Sequence, residues 1–187
     1  MNWKWIIVIF IAIASCKSPE ARYPVSRNSG SYIDESVARN KKLVAKEEVE
    51  IREIIKNDST NEYLSSNNGF WYYYNQKSNR ANDTLSPVFG DIVVLDYSIY
   101  TLDGQPIYSE GDKPTLEYVI DKEKLFSGLR QGIKLMKEGE TVTFLFPSYK
   151  AFGYYGDKNR IGTNLPLKTI VTLHSIKKDS INQTNNQ

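Results

Sequence analysis

The 187-residue sequence contains a single cysteine, Cys16, and a single histidine, His174. Without a second thiol there is no internal disulfide, and one imidazole in a strand-like stretch gives a His-based nucleophile or a metal cluster little to work with. His174 reads as structural. Long apolar runs are also missing: Trp5 to Ala14 is about half the roughly 20 residues that a membrane-spanning helix needs. No charge sign dominates. The formal charge is +2, and setting aside the first fifteen residues removes Lys4 and leaves +1, so no cationic field argues for nucleic acid or acidic lipid. Gly128 and Gly132 lie in a helical stretch without the acidic or lysine signature of a phosphate cradle. The scattered acids Asp91, Asp96 and Asp103 read as surface and turn residues.

What the chain does have is length for one domain with a real core plus an accessory segment, and thirteen Tyr with seven Phe. The aromatics gather in Phe70 to Tyr74 and Tyr149 to Tyr155, which fits either a core or a pocket. The stretch from Leu125 to Gly153 organises the rest. Leu129, Ile133 and Met136 fall at i, i+4 and i+7, predicting a helix of two to three turns, with Ser127 to cap its start and Lys137 and Gly139 to end it. From Thr141 the period becomes two, with Val142, Phe144 and Phe146 on one face, until Pro147 ends the strand. Upstream, Phe70 to Asn75 and Asp91 to Tyr100 read as strands on either side of a polar loop, Ser78 to Ser86. Asp103-Gly104 reverses the chain toward Ile107 and Tyr108, a further strand follows at Leu116 to Ile120, and Thr169 to Ile176 closes the sheet. Several short strands and one helix predict an α+β domain, an antiparallel sheet wrapped on a short helix. Between Pro147 and Lys168 no period holds, and the aromatic content suggests a binding loop over an apolar cavity.

The N-terminus has the layout of a secretory signal over residues 1–15: Lys4, the apolar run, then Ala14 and Ser15 before Cys16. This resembles the lipobox of bacterial lipoproteins, implying lipid attachment at Cys16; the alternative is a signal cleaved elsewhere beside a chance cysteine. Residues 16–33 read as a flexible tether, carrying two prolines and few apolar side chains. Asp34 to Asn57 reads as an accessory helix with Val37, Val44, Ile51 and Ile55 in one stripe and Glu48 paired to Arg52. It either docks on its own domain or forms a dimer seam. Residues 179–187 read as a polar tail.

The order VVLDYSI, LDGQPIYSE, LFSGLRQGIKLMKEGE, FLFP, AFG and TIVTLHSI resembles the FKBP-type peptidyl-prolyl cis-trans isomerases over residues 69–178. CKSPEAR, GFWYYY and MKEGETVTFLFP are similar, more narrowly, to the GldI-like FKBP lipoproteins of gliding bacteria. The resemblance implies a bent antiparallel sheet over a short helix, and catalysed rotation about X–Pro bonds with neither cofactor nor metal. It also implies proline-containing segments of exported polypeptides as partners, no nucleic acid, and a lipid-anchored location in the cell envelope, on the periplasmic side of the outer membrane. The substrate pocket it implies is Tyr97, Ile107, Leu116, Tyr118, Leu125, Phe126, Leu129 and Phe152, with the Phe126 N–H as carbonyl donor and Leu129 at a floor position usually held by Trp. Phe152 stands where a Tyr normally offers a hydroxyl, Thr172 where the last strand normally supplies Phe, and Tyr108 in place of an Asp, so Tyr97 needs another hydroxyl partner. These departures make a catalytically weak or inactive binding or assembly module the second reading.

Overall fold

A computed structural model describes residues 30–78 and 85–179. The expected signal peptide, Cys16 and most of the tether and tail therefore lie outside the described residues. By contacts the chain divides into residues 1–37 and 38–187. Helix α1 (Gly30–Asn57) starts four residues before the expected Asp34 and is followed by β1 (Leu64–Ser66) and β2 (Phe70–Gln76). Next come β3 (Ile92–Thr101), β4 (Pro106–Tyr108), β5 (Leu116–Val119), α2 (Ser127–Ile133), β6 (Thr141–Phe146) and β7 (Leu167–Lys177). All strand pairs are antiparallel in the order β1-β2-β6-β7-β3-β4, with β5 also pairing along the first half of β3. None of the described helices is long and apolar enough to cross a membrane.

The period of two in β6 does what it predicts. Val142, Phe144 and Phe146 enter the main core with Phe70, Val93, Leu95, Leu129, Ile133 and Met136, whereas Leu145 faces the other way, toward Ile51 and Leu102. That second contact docks α1 on the outer face of the sheet, with Ile54, Ile55, Tyr63 and Trp71 around it. Burying Ile51 alone contributes on the order of 1.5–3 kcal/mol. Val37 of the expected stripe is exposed, and Val44 is half-buried. The docked reading of the helix is thus the one realised in residues 38–57.

The ends of α2 differ from expectation. Ser127 does not cap the helix; its hydroxyl donates instead to the Lys150 carbonyl at 3.2 Å, and Phe126 occupies the N-cap without a side-chain bond. The helix closes at Lys134, so Met136 lies beyond it while staying fully buried. Gly139, at φ +83°, ties the start of β6 to β7 through its N–H to Leu173 O at 2.7 Å. Asp91 is also corrected. It is fully buried, and its carboxylate accepts bonds from the Val88 N–H, the Asp179 N–H and Lys178 Nζ. Burial pushes its pKa up, but these three donors outweigh that and hold it below the ordinary carboxylate value.

Candidate active site

The placement of α2 depends on two glycines. A Cβ on Gly128 would lie 2.6 Å from the Phe146 ring and 2.9 Å from the Lys150 carbonyl oxygen, and one on Gly132 would lie 2.9 Å from the Phe144 ring. Phe144 and Phe146 stack at 5.4 Å and 9°, giving the helix a flat aromatic bed that only a bare backbone can approach so closely. The close approach fixes the residue just before the helix. Phe126 stands edge-on to Phe146 at 5.5 Å, with φ −64° and ψ 148°, and none of the hydrogen bonds among the described residues uses its N–H.

Across from Phe126, β6 runs into the aromatic loop. Pro147 starts a 3₁₀ turn, Ser148–Lys150, and a second turn, Gly153–Tyr155, follows Phe152. The Phe152 ring lies 5.0 Å from that of Phe126, tilted by 45°. Ile107 and Phe152 pack on a small cluster of Ile99, Tyr108, Ile161 and Leu167. Leu116, Leu125 and Phe126 pack on the main core, and Tyr97 touches both clusters. Tyr97, Ile107, Leu116, Leu125, Phe126 and Phe152 are half-buried and make a wall in two parts, on the main core and on the small cluster, which Tyr97 and the Phe126–Phe152 contact join. Tyr118 and Leu129 lie beneath it, at 1% and 0% exposure. Thr172 does not belong with them. The alternation of β7 turns Leu167, Thr169, Val171 and Leu173 inward and buries them, while the Thr172 hydroxyl meets that of Thr141 at 3.1 Å on the outer face. Thr169, on the inward face, is fully buried, its hydroxyl unpartnered among the described residues. The outer face also carries a polar groove of about 380 Å³, lined by Asp96, Ser98, Lys113, Thr141 and Thr172, which Tyr97 borders.

The substitution at Tyr108 acquires a physical account. Its hydroxyl donates to Asp157 and accepts from Asn159 Nδ2 at 3.1 Å, so the carboxylate is supplied from the aromatic loop. Hydrogen bonding to Asp157 raises the Tyr108 pKa, with burial adding to it. At Asp157 burial acts upward, but bonds from Tyr108 and from the Ile161 and Asn159 N–H groups outweigh it and the net displacement is downward. Two cations flank the Tyr108 ring: Lys113 Nζ at 4.2 Å and the Arg160 guanidinium at 5.0 Å, the latter also donating to the Ile107 carbonyl at 3.0 Å. The hairpin return and the loop are thus held together beside the wall. Among the described residues the Tyr97 hydroxyl has no hydrogen-bond partner; Lys113 Nζ sits 5.6 Å from its ring. His174 shares a hydrogen bond with Asp96 at 2.7 Å on the exposed face, in keeping with a structural part. Asp157, Asn159 and Arg160 were missed at the sequence level; the only local sign was the Asp-Lys-Asn turn itself, in which Asp157 Oδ1 accepts from the Asn159 N–H at 2.9 Å.

Three comparisons bear on this arrangement. Residues 84–174 match the family model of the FKBP-type peptidyl-prolyl cis-trans isomerases. The fold is similar to the crystal structure of a peptidyl-prolyl cis-trans isomerase from Pseudomonas syringae pv. tomato, at 15% identity and a TM-score of 0.58, covering 74% of this chain and 96% of that one. It is similar also to FkpA from Escherichia coli, at 21% identity and a TM-score of 0.57, covering 95% of this chain and 83% of that one. The matched segment runs from before β3 into β7 and contains every residue of the wall, so it is residues 84–174 that carry the FKBP-type peptidyl-prolyl cis-trans isomerase domain.

Proposed function

We propose that the isomerase acts at the wall formed by Tyr97, Ile107, Leu116, Leu125, Phe126 and Phe152 over the floor of Tyr118 and Leu129. Rotation about an X–Pro bond must surmount about 18–20 kcal/mol because amide resonance is lost on the way. The twisted amide is less dipolar than the planar one, so an apolar, water-poor surface favours it. A single N–H donor to the preceding carbonyl orients the chain, and only contacts stronger in the twisted state raise the rate. The observation that carries this reading is the pairing of Phe126 and Phe152, 5.0 Å apart, beside the unengaged Phe126 N–H. No ionisable group is asked to transfer a proton.

The further reading is of an envelope lipoprotein, held by a lipid on Cys16 at the periplasmic side of the outer membrane and assisting the folding of exported polypeptides. The signal-like residues 1–15 and the small residues before Cys16 support the anchor, and the resemblance of CKSPEAR and MKEGETVTFLFP to gliding-bacterium lipoproteins supports gliding motility proteins as clients. The domain limits proposed with it are a tether from Cys16 and an isomerase domain over 69–178. A cis-trans assay on proline peptides tests the site. The wild-type chain should accelerate isomerisation, and Phe152→Ala should lower kcat/KM by about 10- to 100-fold, a contact of roughly 1–3 kcal/mol, without unfolding the domain. Unchanged turnover in Phe152→Ala removes the assigned wall. No turnover by the wild type leaves the binding-module reading, which the missing hydroxyl at Phe152 favours.

A further inference from the structure

One buried acid outside the wall has no part in the reaction as described. Glu47, in the middle of α1, is 3% exposed, and both of its carboxyl oxygens are used on one residue: Oε2 accepts the Ser148 N–H at 2.8 Å and Oε1 accepts the Ser148 hydroxyl at 2.7 Å. Removing such a side chain leaves a buried N–H and hydroxyl without partners, so the pairing is specific in position and orientation. Ser148 is itself buried and opens the 3₁₀ turn that leads to Phe152.

That turn is a junction between the two sides of the wall. At its far end the Lys150 carbonyl accepts the Ser127 hydroxyl at 3.2 Å, one residue from Phe126, and Lys150 Nζ reaches Gln131 of α2 at 3.4 Å. In its middle the Tyr149 hydroxyl donates to Gly69 O at 3.3 Å. The contacts at the middle and far end are longer than the two that Glu47 makes, and Tyr149 is exposed. A displacement of Ser148 would therefore travel along three residues to Lys150 and reach Phe126 through Ser127 and Phe152 through the chain. Glu47 lies 101 positions from Ser148 and outside the segment that matches the isomerase family, so nothing in the matched domain supplies this contact.

We infer that Glu47 is a positioning residue for the isomerase site: α1, through Glu47 and Ser148, sets the separation of Phe126 and Phe152. The inference rests on the assignment of those rings to the substrate wall, and its test reads ring positions separately from turnover. The full-length chain is labelled in its phenylalanine rings and compared with Glu47→Ala, Glu47→Gln and Ser148→Ala, by NMR and by steady-state isomerisation below the onset of unfolding. In Glu47→Ala the Phe126 and Phe152 resonances should shift while those of Phe70 and Phe144 hold. Its kcat should fall about tenfold, with KM changed by less than about twofold, because misplacement acts on the twisted state more than on binding. Glu47→Gln, which keeps an acceptor and gains a donor for the Ser148 hydroxyl, should recover most of the rate. A lowered melting temperature with unmoved Phe126 and Phe152 rings and full kcat overturns the inference and leaves Glu47 as a stabiliser of helix docking. Should Glu47→Ala fail to fold, Ser148→Ala removes one of the two bonds only, and unmoved rings in that variant overturn the inference equally. Shifted rings in a chain whose wild type shows no turnover would uphold the positioning and refute the assigned site.

Discussion

Gly128→Ala adds one methyl group at the point where α2 meets both the core and the aromatic loop. In an open helix the change would stabilise by about 1 kcal/mol, since alanine outranks glycine as a helix former. Here the new carbon would sit 2.6 and 2.8 Å from two atoms of the Phe146 ring and 2.9 Å from the Lys150 carbonyl oxygen. The ring has little room to yield, being stacked on Phe144 at 5.4 Å and held edge-on by Phe70 at 5.2 Å and Phe126 at 5.5 Å. Overpacking of that kind costs about 1–3 kcal/mol before backbone movement is counted, and a carbonyl inside a turn cannot rotate away. The upper part of that range exceeds the helix gain, so a net loss of about 1–2 kcal/mol is expected, or a fall in melting temperature of roughly 3–8 °C. Gly162→Ala is the control, because its Cβ meets nothing within 4 Å and its φ is not left-handed, so its stability should stay within about 0.5 kcal/mol of wild type. Differential scanning fluorimetry and urea unfolding read both. Equal stability of Gly128→Ala and wild type would refute the close-approach account of α2. A fall in stability with unaltered kcat/KM would instead sever the link from α2 to the loop.

Three other outcomes follow from the same structure. Because Asp91 titrates below its unfolded value, its contribution to stability is full above about pH 4 and is lost as pH falls through the folded pKa; Asp91→Asn should be less stable than wild type at pH 7, and the gap should close in acid, as urea unfolding at several pH values will show. Removing the charge takes from the partly buried Lys178 its ionic partner and leaves it the Ser86 carbonyl at 3.1 Å, for a loss of about 2–3 kcal/mol at neutral pH, somewhat under the figure for a fully buried pair because Lys178 also keeps some water. Tyr108→Phe keeps the ring under Lys113 and Arg160 but removes the hydroxyl from Asp157, so about 1 kcal/mol should be lost and hydrogen exchange at the Ile161 N–H, which Asp157 accepts, should quicken; unchanged exchange would mean that Asp157 holds the loop unaided. Cys16→Ser should release the chain from membranes in fractionation, and continued pelleting would count against lipid attachment.

The elements that local periodicity governs were legible from the sequence: the aromatic strand at Phe70, the alternation through Val93 to Ile99, the two faces of β6, and the buried line of Leu129, Ile133 and Met136. The convergence of Phe126 and Phe152 came through the family resemblance, since nothing in a 26-residue separation specifies a ring contact. What stayed hidden were partners chosen in three dimensions. Glu47 sits among Lys, Arg and Glu on a helix whose charges read as solvent-facing, and only folding brings it to Ser148. Gly128 and Gly132 look like weak helix positions until Phe146 and Phe144 are laid against them. Thr172 was assigned by position in a motif, and the pleat of β7 turned it outward, because a shift of one residue exchanges the faces of a strand.

The charges of the domain are arranged in a way that suits its chemistry. Asp91, Glu47 and Asp157 are each bound by backbone N–H groups, and each fixes a segment: the entry to β3, the turn before Phe152, and the end of the aromatic loop. None of them belongs to the wall itself, whose half-buried members are two phenylalanines, a tyrosine and three aliphatic side chains. A carboxylate placed within that surface would draw water toward it and favour the planar, more dipolar amide over the twisted one. Groups at the perimeter serve differently: their hydrogen bonds hold the backbone, while at the proposed wall the reacting bond would meet apolar side chains and one N–H. The position of Tyr108 follows the same logic: by taking its carboxylate from Asp157 on the loop, the hairpin return keeps a polar tie to the loop without placing a carboxylate in the proposed wall.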